Sequence, residues 1–135
     1  MAPDFSLPLL YSDDTFQMAD YRGQGVVINF WASWCLPCKQ EMPALEKAWQ
    51  EYQDQGIVFL GVNVWDVKRD ALNFLIEYGV SYLTGIDVNE EVDNLFLLQG
   101  VPTTWFIAPD GSVSEIVMGP IDEAMLEDKI TAILP

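Results

Sequence analysis

Hydrophobic positions along this chain change period from segment to segment. Val26 to Trp31 reads VVINFW, a β-branched and aromatic run with little polar relief. Successive strand side chains point to opposite faces, so such a run predicts a strand covered on both sides, at the centre of a sheet. Ile57 to Val64, IVFLGVNV, predicts a second buried strand. Between them, Met42, Leu45, Trp49 and Tyr52 fall at spacings of three, four and three, one apolar helix face that runs to about Gln55 before Gly56 stops it. A helical pattern from about Lys68 to Tyr78 turns Leu72, Leu75 and Ile76 inward and ends at Gly79.

The second half follows the same logic. Ser81 to Ile86 is a weaker extended stretch, and a helix follows from about Asn89 to Gln99-Gly100, with Glu90 and Glu91 near its positive end and Val92, Leu95 and Phe96 on its buried side. TTWFIA, the turn APDGS and SVSEIVM predict a hairpin over 103–118. Asp122 caps a final helix whose apolar face is Met125, Leu126, Ile130 and Ile133. Residues 1–25 are extended and turn-rich, with a short strand or hairpin around Thr15 to Met18. Strands alternating with helices and ending in a hairpin predict an α/β fold, a mixed sheet with helices on both faces.

The length of 135 residues, with no repeat or Ser/Gly-rich linker, suits one domain over residues 1–135. Half the residues are hydrophobic, yet no window approaches the roughly 18 uninterrupted apolar residues of a membrane span. Twenty-one acidic residues against six basic ones give a formal charge of -15, which repels nucleic acid and anionic membranes. The acid is dispersed in short pairs and reads as a solvated surface. The opening Met1-Ala2-Pro3-Asp4 lacks the charged start and apolar run of a signal peptide.

The chemistry of the chain concentrates in NFWASWCLPCKQEMP, residues 29–43, which holds both cysteines. A structural zinc site needs about four ligands, and two cysteines with no histidine cannot supply them, so no metal is expected. As a staple, a bond from Cys35 to Cys38 encloses only Leu36 and Pro37 and constrains little chain entropy. A redox role fits better. The pair follows a strand and opens a helix, whose first amides favour a thiolate at Cys35, and C-x-x-C thiols at helix N-termini titrate below the usual value of about 8.5. Cys35 is the candidate attacking sulfur and Cys38 the resolving thiol. Pro37 fits an early helix position. Trp34 offers an apolar shoulder to a partner peptide, set against simple packing for both Trp31 and Trp34.

These residues resemble the thioredoxin superfamily, and within it the TlpA/ResA-like thiol-disulfide oxidoreductases. VVINFWASWCLPCKQEMP, GVPTTWFIAPDGSV and the opening APDFSLPLL carry the resemblance, which extends over nearly the whole chain. It implies a thioredoxin-like fold with a central mixed sheet flanked by helices and an extra strand-helix unit between the C-x-x-C motif and a cis proline. That proline would be Pro102, beside the active disulfide, with the backbone around Val101 pairing with an extended substrate. Trp34, Pro37, Val101, Pro102 and Thr103 are thus candidate substrate contacts. Glu41 matches an active-site glutamate of ResA-like members, and three residues after Cys38 a carboxylate could take or return a thiol proton. Asn29 stands where thioredoxins place a buried aspartate, and it cannot accept that proton.

The implied reaction is dithiol-disulfide exchange with disulfide-containing or dithiol proteins, with an upstream protein donating electrons and no cofactor. The family relation also implies an extracytoplasmic setting, periplasmic or on the outer face of the cell membrane, against a cytoplasmic alternative. With it come a membrane tether in a longer natural form and work in cytochrome c maturation or antioxidant pathways. Two rival readings stand beside it. A peroxiredoxin-like peroxidase shares the fold and the opening, but usually places proline and threonine or serine seven and three residues before its cysteine, where this chain has Ile28 and Ala32. A non-catalytic binding module would keep the fold and use the cysteines little.

Overall fold

The computed structural model describes all 135 residues. Seven strands and four helices follow in the order β1 (Ser6–Pro8), β2 (Thr15–Gln17), β3 (Gly25–Trp31), α1 (Leu36–Tyr52), β4 (Ile57–Asn63), α2 (Lys68–Tyr78), β5 (Leu83–Ile86), α3 (Glu91–Leu95), β6 (Thr103–Ile107), β7 (Val113–Met118) and α4 (Glu123–Thr131). Five strands form a sheet in the order β5-β4-β3-β6-β7, while β1 and β2 make a separate antiparallel pair. The pairs β3–β4 and β4–β5 are parallel, and β3–β6 and β6–β7 antiparallel, so the sheet is mixed. VVINFW lies at its centre, and every residue of β3 and β4 is buried.

Alternation along β3 divides the core in two. Val27 and Trp31 pack with Met42 and Leu45 of α1, Phe74 and Leu75 of α2, and Leu126 and Ile130 of α4. Val26, Ile28 and Phe30 pack on the opposite side with Leu7, Phe16, Val92 and Phe96, from the β1–β2 hairpin and the α3 segment. Helices therefore cover both faces, three on one side and the short α3 on the other.

Most predicted elements appear within a few residues of their expected limits, and α2 spans Lys68–Tyr78 as read, capped by Gly79 at φ 62°. Three details differ. The helix expected from Asn89 to Gln99 is only α3, preceded by a 3₁₀ turn over Val88–Glu90 in which Asn89 and Glu90 adopt positive φ. Asp87 explains the late start, because its two carboxylate oxygens accept from the amides of Val92 and Asp93 (2.9 and 2.8 Å). Within that segment Leu95 is exposed rather than buried. Ile76 is also 71% exposed instead of facing inward, since Ala71, Phe74 and Leu75 supply the buried stripe of α2.

Candidate active site

The parallel and antiparallel registers bring three loops to one end of the sheet. Trp31 ends β3 opposite Asn63 of β4, and Phe30 lies opposite Thr103 of β6. The turn from Ala32 to Cys35, the loop after Asn63 and the segment ending at Pro102 therefore meet beyond the same strand ends. Segments far apart in sequence meet here because β3 is central and its neighbours are β4 and β6.

Cys35 is the N-cap of α1 and is joined to Cys38 in a disulfide, with Cα atoms 5.3 Å apart. Its sulfur accepts from the Cys38 amide at 3.2 Å, so a free helix N–H points at the sulfur, as expected for a residue capping a helix. Both cysteines are buried, Cys35 at 4% exposed and Cys38 fully, so Cys35 is the less enclosed of the two. Pro37 sits in the first turn, where its missing amide hydrogen leaves no helical carbonyl unpaired. Trp34 is 60% exposed, while Trp31 is buried and stacks on Phe74 at 4.7 Å between ring centroids.

Glu41 lies on the same buried face of α1 as Cys38. Its Oε2 accepts from Asn29 Nδ2 at 2.7 Å and its Oε1 from the Ile121 amide at 3.3 Å. Burial pushes its carboxyl up to about 7, and the hydrogen bonds from Asn29 and Ile121 hold it from rising further. Asn29 also donates to Thr104 Oγ1 at 3.1 Å, its cross-strand partner in β6. Where an aspartate would compete with Glu41 for the proton, Asn29 instead orients the carboxylate from the strand below.

The Val101–Pro102 peptide bond is cis and Pro102 is buried. The Pro102 carbonyl accepts from the Gly119 amide at 2.9 Å and Thr103 Oγ1 donates to the Gly100 carbonyl at 2.8 Å, fixing both sides of this turn. Val101, half-buried, packs against the core cluster that contains both cysteines. Neither its amide nor its carbonyl has a backbone partner within the chain.

Sequence reasoning missed the loop after β4. Asp66 accepts from the Ser33 amide (2.7 Å), Ser33 Oγ (2.9 Å), Asn63 Nδ2 (3.0 Å) and the Val67 amide (2.8 Å). Burial alone would raise its pKa, but the hydrogen bonds from Asn63, Ser33 and Val67 outweigh it and hold Asp66 below the usual carboxylate range. Trp34 Nε1 donates to the Trp65 carbonyl at 2.9 Å, and Trp65 Nε1 to Asp93 Oδ2 at 2.7 Å. Only the acid directly after NVW marked this loop, a signal too short to separate from the many surface acids of the chain. An open groove lined by Trp34, Trp65, Asp66, Val67 and Asp87 runs past the redox turn.

The peroxidase pattern is not met in space either. Ile28 faces the core on the side of the sheet away from the cysteines, and Ala32 is buried with no hydroxyl to offer.

Comparison with known proteins agrees with this geometry. The AhpC/TSA family model matches residues 1–116. The thiol-disulfide oxidoreductase ResA of Oceanobacillus iheyensis is 36% identical over 99% of this chain and 71% of its own length. The thiol:disulfide interchange protein DsbE of Pseudomonas fluorescens is 35% identical over 96% of this chain and 71% of its own. A thioredoxin-family thiol:disulfide interchange protein from Chlorobium tepidum superposes with a TM-score of 0.91 at 26% identity, covering 99% of this chain and 95% of that one. The fold is thioredoxin-like, with β4, α2 and β5 placed between the cysteines and the cis proline. The chain belongs to the AhpC/TSA family, among its ResA-like thiol-disulfide oxidoreductases.

Proposed function

We propose that this protein, working as one domain, reduces disulfides of partner proteins by exchange through Cys35 and Cys38. One observation carries the reading: two cysteines three residues apart at a helix N-terminus, the capping Cys35 slightly exposed and Cys38 wholly buried behind it. The Cys35 thiolate attacks one sulfur of the partner's disulfide and expels the other as a thiolate. Cys38 then attacks Cys35, releasing the reduced partner and leaving the Cys35–Cys38 disulfide for an upstream dithiol protein to reduce. The burial of Cys38 keeps it from external disulfides until the mixed disulfide has formed.

Glu41 is the proton acceptor for Cys38 in this scheme. With its pKa near 7 the carboxyl holds or releases a proton at neutral pH, the range in which a general acid-base is most useful. Val101 is the docking point: its unpaired amide and carbonyl suit an extended partner segment, with Pro102 and Thr103 fixing the turn and Trp34 and Pro37 flanking Cys35. The same proposal has the protein working outside the cytoplasm, with a tether in a longer natural form, a reading supported by its similarity to ResA and DsbE proteins. No helix here is long and apolar enough to cross a membrane.

Incubating Cys38→Ser with a disulfide-containing protein tests the order of attack. A mixed disulfide through Cys35 should accumulate and dissolve on adding dithiothreitol, while Cys35→Ser should form none. The reverse pattern would reassign the attacking sulfur, and no adduct from either variant would leave a binding module as the better reading.

A further inference from the structure

We propose that Asp66 is a positioning residue for the redox turn: its carboxylate, fixed beyond the end of β4, grips Ser33 and so holds Cys35 ready to close onto Cys38. The inference rests on the Cys35–Cys38 pair being the redox couple and adds to it a residue outside the C-x-x-C motif.

A carboxylate offers about four acceptor sites, and four protein donors occupy those of Asp66. Oδ2 takes the Ser33 amide and Asn63 Nδ2, and Oδ1 takes Ser33 Oγ and the Val67 amide. Ser33 is thus held by both of its donors, two positions before Cys35. The other two bonds fix the aspartate itself to Asn63 at the end of β4 and to Val67 at the N-cap of α2, so the grip is anchored to the sheet and to a helix start. Asn63 lies opposite Trp31 in the β3–β4 register, and the Val64 amide donates to the Trp31 carbonyl at 3.0 Å, which sets the distance between the two loops.

A second tie lies beside the first. Trp34 donates to the carbonyl of Trp65, the residue before Asp66, and Trp65 is itself held by Asp93 through its indole nitrogen. Trp65 has φ 53°, a left-handed conformation uncommon for a bulky side chain. Such a conformation persists where its surroundings over-determine it. The consecutive residues Ser33 and Trp34 are therefore held by the consecutive residues Asp66 and Trp65, from the far side of α1 and β4 in sequence.

Closing the disulfide removes freedom from both sulfurs. A turn that is already held loses less on closing, which raises the effective concentration of one thiol at the other. The grip should therefore favour the disulfide and make the couple more reducing. The negative charge of Asp66 disfavours a nearby thiolate and acts in the same direction, so the test has to separate grip from charge. Ser33→Ala does so, because it removes one prong and leaves the carboxylate in place.

The measurement is the equilibrium constant with glutathione, in which Cys35 and Cys38 give up two electrons and two protons and glutathione disulfide becomes two glutathione thiols. It is made on the full chain for wild type, Ser33→Ala, Asp66→Asn, Asp66→Ala and the Ser33→Ala, Asp66→Ala double variant. Ser33→Ala is expected to shift the constant toward the dithiol by about threefold and Asp66→Ala by about tenfold, the latter equal to about 30 mV. The double variant should move no further than Asp66→Ala alone, since both changes break one grip. A shift in Asp66→Asn with none in Ser33→Ala would make Asp66 a charge effect and overturn the clamp. Lower melting temperatures with an unchanged constant would make it structural only and overturn it too. If Asp66→Ala does not fold, Ser33→Ala and Asp66→Asn decide alone. A wild type that does not cycle overturns the oxidoreductase reading and the clamp together, whereas a cycling wild type beside unshifted variants overturns the clamp only.

Discussion

Glu41 is a carboxyl with two hydrogen bonds and almost no water. Its pKa is raised by burial, so folding disfavours its charged form, and the sign of the pH effect follows. The stability tied to this group is fully present below the unfolded value near 4.5 and is lost as pH rises through about 7. The loss is on the order of 3 kcal/mol by linkage. Glu41→Gln should remove that slope from urea unfolding measured between about pH 4 and 8, and remove an inflection near pH 7 from the rate of thiol exchange. A variant that keeps both features would take Glu41 out of the proton path. The sequence offered Glu41 only through its family resemblance, and nothing local revealed that Asn29 would orient it, since that contact depends on how α1 lies across β3. Asp66 was less legible still: its key partner Ser33 is 33 residues away, and only the parallel register of β3 and β4 brings them together.

At the scale of elements, α4 links stability to the site. Asp122 caps it by accepting from the Met125 amide at 2.8 Å, and the preceding Ile121 donates its own amide to Glu41. Asp122→Ala should cost about 1 kcal/mol, the usual value for losing such a cap, read as a lower urea midpoint with an unchanged slope. A loss near zero would mean that tertiary packing of Leu126 and Ile130 alone fixes the helix. Caps also explain which elements could be read in advance. The limits of α2 and the cap of α4 follow from local signals, Gly79 in a left-handed conformation and Asp122 at an N-cap. The α3 segment is shorter than its pattern suggests because Asp87 takes the first amides and Asn89 and Glu90 break the helical path, although Glu91 does stand in the first turn as read. Ile76 satisfied the apolar spacing of α2 but had no facing element to pack against.

Across the whole molecule, a formal charge of -15 works against compactness. Few cations offset it, and the ion pairs Arg22–Asp4, Lys47–Glu123 and Arg69–Asp70 are solvent-exposed and contribute little. Salt should therefore stabilise the protein: raising sodium chloride from low to physiological strength should increase the melting temperature, because screening shortens the reach of like charges to about 8 Å. A fall would mean that attraction within the ion pairs outweighs the repulsion among the acids. The N-terminal hairpin closes one side of the molecule, with Leu9 bridging to Gly85 at the β5 edge. A Cβ at Gly85 would meet the side chain of Leu7 and the backbone carbonyl of Pro8. Gly85→Ala should thus loosen the hairpin at a cost of about 1–3 kcal/mol, with faster amide exchange over residues 6–17 as the sign.

The chemistry proposed for this protein requires Cys35 and Cys38 to open and close as a reducing couple. Equilibrating the protein in defined dithiothreitol or glutathione buffers, with thiol trapping and tryptophan fluorescence and with Cys35→Ser as control, tests it most directly. One reversible two-electron transition is expected, at a potential nearer about -270 mV than about -120 mV and absent in the variant. A pair that never cycles, or one poised near about -120 mV, would contradict it.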